Sequence, residues 1–442
     1  MFKQYIKTTS MSFVVMFGMM GMMGLSSCSD DDSPLEPDKP KGEMEKLTPE
    51  ESKDFLDNSA KTMMNTLNAS DQESFIKTAS YAYENYADIE FPDKSGDDNE
   101  RKNPALFLKN LANAVKQGSA HAMAAASYTY VYDYDYREYY GVYEVRGSEW
   151  VKTEDSENIV FKFRNYDRST CILTLEPSKE FSDIDWENEY DDYYSETEEY
   201  YVKIPKTVKV TLVSGTKTLV NGTVNTSVSK TAHTVSADAN ITVENINAQC
   251  QINGTDTKVD AAFATTVGGK LFVKGNTSIN GTHLCDVDFF RNNDIESEDL
   301  YNYFKSGTAN ANAMDLVQID AKAEFTREFC AILDRSYYNY DYDTETEAET
   351  AIANDVKLYN QYISANVRYN NTKTVQAKLK FDYEHESYYR GWEYYIIPLI
   401  QFEGDGSTYT FEEYFEKGFG SVENQWNSLV RSYKSIWNSV LK

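Results

Sequence analysis

The sequence predicts an α+β fold: a large antiparallel β-meander with one face covered by helices. Three observations carry that prediction. From Lys206 to Gly281, apolar and polar residues alternate through at least five consecutive runs, the period of a strand with one buried face and one wet face. Upstream, and again beyond Asp294, apolar residues recur at helical spacing behind helix start signals. Far downstream, Val375, Ala377, Leu379, Phe381 and Tyr383 alternate with Gln376, Lys378, Lys380 and Asp382, which places this run in the same sheet.

Within the ladder the apolar positions are Val208, Val210 and Leu212, then Val220, Val224 and Val228, then Val235 through Val243, Ile246 through Ile252, Val259 through Val267, and Leu271, Val273 and Ile279. Thr, Asn, Ser, Lys and Asp stand opposite them. The phase slips by one between Val243 and Ile246, so Glu244-Asn245 is expected to be a turn or bulge. Ser214-Gly215, Gly254-Thr255 and Gly268-Gly269 mark the other joints with turn chemistry. The apolar face is rich in Val and Ala. Small residues there suit either close-packed helices or a half-barrel cavity for an apolar ligand.

Before the ladder, Thr48-Pro49-Glu50-Glu51 reads as a helix start, followed by Phe55, Leu56, Met63 and Leu67. Ser70 to Glu73 reads as a second start, and Asn103-Pro104 opens a third helix that leads into the alanine-rich stretch Ala120–Ala126. Ile159–Phe163 and Cys171–Leu175 read as a hairpin turning at 165–169, and the acidic run Asp183–Tyr201 as a surface loop. After the ladder, helices are expected at 296–304, 311–333 and 345–365. Ile396–Phe402, interrupted by Pro398, is expected at a sheet edge. A capping box at Thr410 and Glu413 precedes a final helix with Trp426, Leu429, Tyr433, Trp437 and Val440 on one stripe.

The tyrosines are unusual in their spacing. Tyr128, Tyr130, Tyr132, Tyr134 and Tyr136 follow period two, with Asp133 and Asp135 among the alternate positions. A strand here would carry rings on one face and charge on the other. Further clusters lie at 190–201, 337–342 and 383–395. One reading is a sugar-binding platform with Tyr130, Tyr132, Tyr134, Tyr136, Asp133 and Asp135 as ligand-binding residues. The other is that the rings are core or edge residues with their hydroxyls reaching water.

The chain of 442 residues, 41% of them hydrophobic, can bury a sizeable core. Its 71 acidic residues against 43 basic ones give a net charge of −28, which excludes nucleic acid and anionic lipid headgroups as partners. At the N-terminus, Lys3 and Lys7 precede an apolar run from Met11 to Leu25, shorter than the ~20 residues a spanning helix needs. The run ends in Leu25-Ser26-Ser27-Cys28, followed by Ser29-Asp30-Asp31-Asp32. This stretch resembles the lipobox and acidic tract of surface-exposed outer-membrane lipoproteins of Bacteroidota-type bacteria. The resemblance covers residues 1–32 and implies lipidation of Cys28 and a position on the outer membrane facing the cell exterior. Accordingly, residues 1–27 are a signal peptide, 28–47 a lipidated cysteine and acidic, proline-rich tether, and 48–442 the α+β domain. That domain is helical over 48–127, mainly β over 128–290, and mixed helix and strand over 291–442.

Chemical motifs are sparse. The four histidines, His121, His233, His283 and His385, form no metal-binding motif, and no nucleophile elbow, phosphate loop, dinucleotide fingerprint or Cys-x-x-Cys is present. No catalytic residue, metal ligand or cofactor is assigned. Cys171, Cys250, Cys285 and Cys330 are expected either as buried thiols or as disulfides. The functional expectation is a non-enzymatic surface binding protein with a glycan among its candidate ligands. A carrier of an apolar ligand is the alternative, and a glycoside hydrolase, which needs only two carboxylates, is the third.

Overall fold

A computed structural model describes residues 42–86, 89, 128–147, 149–190, 196–286, 289, 299–388, 391–416 and 419–440. Cys28, most of the tether, the expected helix after Asn103 and the alanine-rich stretch lie outside them.

In chain order the helices are α1 (Pro49–Thr66), α2 (Glu73–Tyr86), α3 (Leu300–Tyr303), α4 (Arg327–Cys330), α5 (Glu345–Tyr362), α6 (Phe411–Glu416) and α7 (Gly420–Asn438). The strands are β1 (Tyr128–Asp135), β2 (Gly141–Arg146), β3 (Glu149–Glu154), β4 (Ile159–Arg164), β5 (Thr170–Pro177), β6 (Phe181–Tyr190) and β7 (Glu196–Pro205). They continue as β8 (Thr207–Ser214), β9 (Lys217–Ser229), β10 (Thr234–Val243), β11 (Ile246–Gly254), β12 (Lys258–Val267) and β13 (Lys270–Gly281). The last are β14 (Phe304–Ala313), β15 (Val317–Glu324), β16 (Ile363–Tyr369), β17 (Val375–Tyr388), β18 (Gly391–Phe402) and β19 (Thr408–Thr410).

Sixteen strands form one sheet in the order β3-β2-β4-β5-β8, followed by β9 to β19 in sequence. Its pairings are antiparallel except β2 with β4. The alternation in the sequence explains why the register holds. One transverse row reads Leu175, Val210, Gly222, Ile241, Ala248, Thr265, Val273, Ala313, Val317 and Tyr369. The next row reads Glu176, Lys209, Thr223, Asn240, Gln249, Ala264, Lys274, Asn312, Gln318 and Arg368. A one-residue slip anywhere would exchange these faces. The polar face is also cross-linked, with Asn225 donating to Asp238 (2.7 Å), Asn247 to Asn240 (2.7 Å) and Asn310 to Asn276 (2.6 Å). Glu244, at φ +52°, makes the turn that the phase slip required.

Helix α1 touches the sheet through particular side chains. Leu56 of α1 packs among Ala377, Val367, Ile400 and Phe402, and Phe55 stacks on Tyr369 at 4.4 Å. Farther along the same helix, Met63 and then Leu67 reach Val267, Phe272 and Val273. Thr48 caps α1 in a capping box with Glu51. The second start differs from expectation: Asn68, not Ser70, caps a 3-10 turn over Ala69–Gln72, and α2 follows directly. At the turn end of the sheet the Phe75 amide donates to Glu244, and Asn165 bridges Thr78 and Ser214 at 2.8 Å each. Helix α7 lies on α1 and α2, with Tyr433 donating to Gln72 (2.7 Å) and the Trp437 carbonyl accepting from Ser80 (2.7 Å). Its Trp426 is 50% exposed.

Residues 43–47, the end of the stretch assigned to the tether, are stitched to β17. Gln376, fully buried, receives the Leu47 amide (2.8 Å) and donates to the Glu45 carbonyl (2.9 Å). A side chain at Gly404 would strike the Leu47 backbone, so glycine is needed where this incoming segment passes.

Several expectations are corrected. The helix expected at 311–333 is instead β14, β15 and the short α4, because Gly307, Ala309, Ala311 and Ala313 and then Val317, Ile319, Ala321 and Ala323 alternate at period two. Alanine, a good helix former, concealed the strand period. The helix expected at 345–365 ends at Tyr362, where β16 begins. The short helix expected at 296–304 appears, among the described residues, as the single turn α3. Pro398 lies in the next-to-last strand, one position past the last residue that β19 pairs, so its missing N–H is tolerated there. The capping box at Thr410 is present, and Cys171, Cys285 and Cys330 are free thiols.

Candidate functional site

The acidic run expected as a surface loop is a hairpin. Ile184 and Trp186 in β6, with Tyr200 and Val202 in β7, are strand formers at period two, and the many carboxylates between them masked that period. The β5/β8 pair continues into the β6/β7 pair through Ser178 and Thr207 (2.7 Å) and through Lys206 and Glu180 (2.8 Å). Strand β1 then adds in parallel to the far side of β7, completing a three-stranded ribbon in the order β1-β7-β6.

The register sorts the ribbon into two unlike faces. On one, successive rows are Tyr128/Glu196/Tyr190, Tyr130/Glu198/Asn188, Tyr132/Tyr200/Trp186 and Tyr134/Val202/Ile184. On the other they are Thr129/Thr197/Glu189, Val131/Glu199/Glu187, Asp133/Tyr201/Asp185 and Asp135/Lys203/Asp183. Seven aromatic positions therefore share the first face with two acids, whereas seven acids share the second with one aromatic position and one lysine. Neighbouring rows stand about 3.3 Å apart, so same-face positions recur about every 6.6 Å along a strand and about 4.8 Å across strands.

Of the predicted site residues, Tyr130, Tyr132 and Tyr134 fall on the aromatic face and Asp133 and Asp135 on the acidic one. Tyr136 does not continue the ladder; it begins a 3-10 turn, Tyr136–Tyr139, that leads into β2. Sequence reasoning missed Trp186, Tyr190 and Tyr200 as partners of β1. Their period two was available as a clue, but the parallel pairing of β1 with β7 leaves no turn residue to announce it. The ribbon is fixed at its base. Tyr139 is buried beside Tyr143, Trp150 and Ile159, the Tyr143 hydroxyl donates to the Tyr139 carbonyl (3.0 Å), and the Arg137 guanidinium lies 5.2 Å over the Phe181 ring.

The clusters at 337–342 and 383–395 come together elsewhere, as core. Tyr337, 3% exposed, packs with Ile352, Tyr359, Phe381 and Tyr394 beneath α5. Its hydroxyl donates to the buried Asp355 (2.7 Å), which also holds Arg335 (2.7 Å). Burial and the Asp355 charge both push the Tyr337 phenol well above its ordinary range. Burial, with Glu349 and Glu345 nearby, also raises the Tyr394 phenol. Tyr340 is the exception in these clusters, 83% exposed.

Two of the four histidines meet at the opposite end of the sheet from α1. His233 bonds Asp256 (2.7 Å), His283 bonds Asp286 (3.3 Å), and Cys285 sits against Gly254 and Val235. Among the described residues no group of three His, Cys, Asp or Glu side chains is arranged to hold a metal ion. Nor is any described helix long and apolar enough to cross a membrane. The chain matches no protein-family model, no curated protein and no solved structure.

Proposed function

We propose that the chain is a lipid-anchored protein of the outer membrane, facing the cell exterior, that binds glycan on the aromatic face of the β1-β7-β6 ribbon. The observation that carries this reading is the register, which unites two tyrosine clusters distant in sequence on one face. Aromatic faces suit the C–H faces of pyranoses, and Glu196, Glu198 and Asn188 in the same rows are acceptors or donors for sugar hydroxyls. The lipobox at Leu25–Cys28 and the acids after it support anchoring and outward placement. Two or more acyl chains on Cys28 hold the protein stably, since each buried CH₂ contributes about 0.8 kcal/mol.

The test is calorimetry of the full chain against a panel of polysaccharides. Binding that Tyr130→Ala and Tyr134→Ala abolish supports the reading; retention of no glycan contradicts it. Protease treatment of intact cells tests placement: cleavage is expected, and protection would count against it.

A second reading is favoured by one observation. Near the end of the sheet away from α1, Val235, Ala237, Val259, Ala261 and Ile279 are only half-buried and Ile252 is 39% exposed. In this reading the helices cover the apolar face at its turn end and under α5, and the remaining Val/Ala surface holds an apolar ligand. Uptake of a fluorescent fatty acid by the full chain would favour it.

A further inference from the structure

We infer that the ligand of the ribbon is an extended, uncharged oligosaccharide of several rings, and that polyanionic glycans are excluded. This deepens the glycan reading and rests on it. The aromatic positions form an elongated array. Tyr128, Tyr130, Tyr132 and Tyr134 follow one strand, and the six residue steps between the first and the last make a track about 20 Å long. A single pyranose covers a fraction of that length, whereas a chain of rings can meet successive positions. The row Tyr132/Tyr200/Trp186 crosses the track and gives it its widest aromatic point.

Charge selects among such chains. The three strands carry nine acidic residues and one base, Lys203. Two of the acids, Glu196 and Glu198, stand on the aromatic face itself, and the ribbon is one strand layer thick, so acids on the reverse face lie within about one Debye length of any bound ligand. Sulfated or uronic polymers would meet like charge, with no arginine or lysine among the paired positions of the aromatic face to receive it. Hydroxyl-rich neutral chains instead find acceptors beside the rings.

The experiment is a calorimetric length series with the full chain, from mono- to hexasaccharide of whichever neutral polysaccharide the panel retains, with a uronic polymer of comparable size alongside. Affinity is expected to rise at least about tenfold from one ring to four and then level off, because each further ring gains a stacking partner until the track is filled. The uronic polymer is expected to stay unbound at low salt, where repulsion is strongest. Tyr128→Ala, at the end of the track, is expected to shift the plateau to a shorter oligomer, a readout that general misfolding would not give. A monosaccharide that binds as tightly as the hexamer, or preferential binding of the uronic polymer, overturns this inference while leaving glycan binding intact. Failure of every glycan in the panel overturns the underlying reading instead.

Discussion

Around α5, Tyr337, Tyr359 and Tyr394 are packed between a helix and β17/β18, whereas Tyr128–Tyr134 stand on a three-stranded ribbon outside the 16-stranded sheet. The composition of the two regions is similar, rich in Tyr and carboxylates. Their partners differ. Under α5, Ala348, Ile352, Val356 and Tyr359 supply an apolar helix face, and the carboxylate that enters, Asp355, is held by both Tyr337 and Arg335. Along the ribbon, the rows set Tyr beside Glu, Asn, Trp and Tyr, and carboxylates are sorted by strand alternation to the other face. Tyrosine clusters therefore say little by count; under α5 an apolar helix face packs on them, whereas on the ribbon the register sorts them to one face.

That contrast yields a graded set of outcomes. Ile352→Ala leaves a cavity in the α5 core and is expected to cost about 3–4 kcal/mol in denaturant unfolding, because Ile352 is fully buried. A loss below about 1 kcal/mol would show that α5 is not holding the core tyrosines. Alkaline titration gives the next largest effect. Burial raises the phenols of Tyr337, Tyr394 and Tyr414, and that of Tyr369 to about 12, above the ordinary 10.0. Because the folded state prefers the protonated phenol, this stability is complete below pH 10 and is lost as pH rises through the folded values. Ultraviolet titration should therefore show a late group of tyrosines ionising together with unfolding; a single wave centred near pH 10 would contradict it.

Tyr337→Phe is expected to cost about 1–2 kcal/mol, since Asp355 keeps Arg335 but loses the hydroxyl that donates to it. Equal stability of this variant and wild type would make that hydrogen bond dispensable. Tyr130→Ala is expected to change stability least, by under about 1 kcal/mol, while reducing glycan affinity about tenfold or more. The reverse pattern, large destabilisation with binding intact, would make the ribbon tyrosines core residues like those under α5.

The sheet was legible because its period is two and its turns are written in glycine and in the Glu244-Asn245 phase slip. The starts of α1 and α5 were legible too: Thr48 and Glu51 form the expected capping box, and α5 begins at the expected Glu345. Residues 311–323 were misread because alanine suits helices and Leu316 and Ile319 stand three apart, a helical spacing. The ribbon was half legible. Tyr128–Tyr134 declared a strand, but nothing local shows that its partner begins some sixty residues later at Glu196, since a parallel pairing depends on chain that returns from a distance. Contacts such as Gln376 with residues 45–47 are likewise invisible in sequence, because they join positions over 300 residues apart.

The most direct measurement of the central claim is calorimetric titration of the full chain and its Tyr130→Ala/Tyr134→Ala variant with a neutral oligosaccharide of at least four rings. Saturable binding by the wild type, loss of about tenfold or more in the variant, and matching unfolding curves for the two proteins are expected. Equal affinity in the two proteins would contradict it, because the ribbon's aromatic face would then not be where the sugar sits.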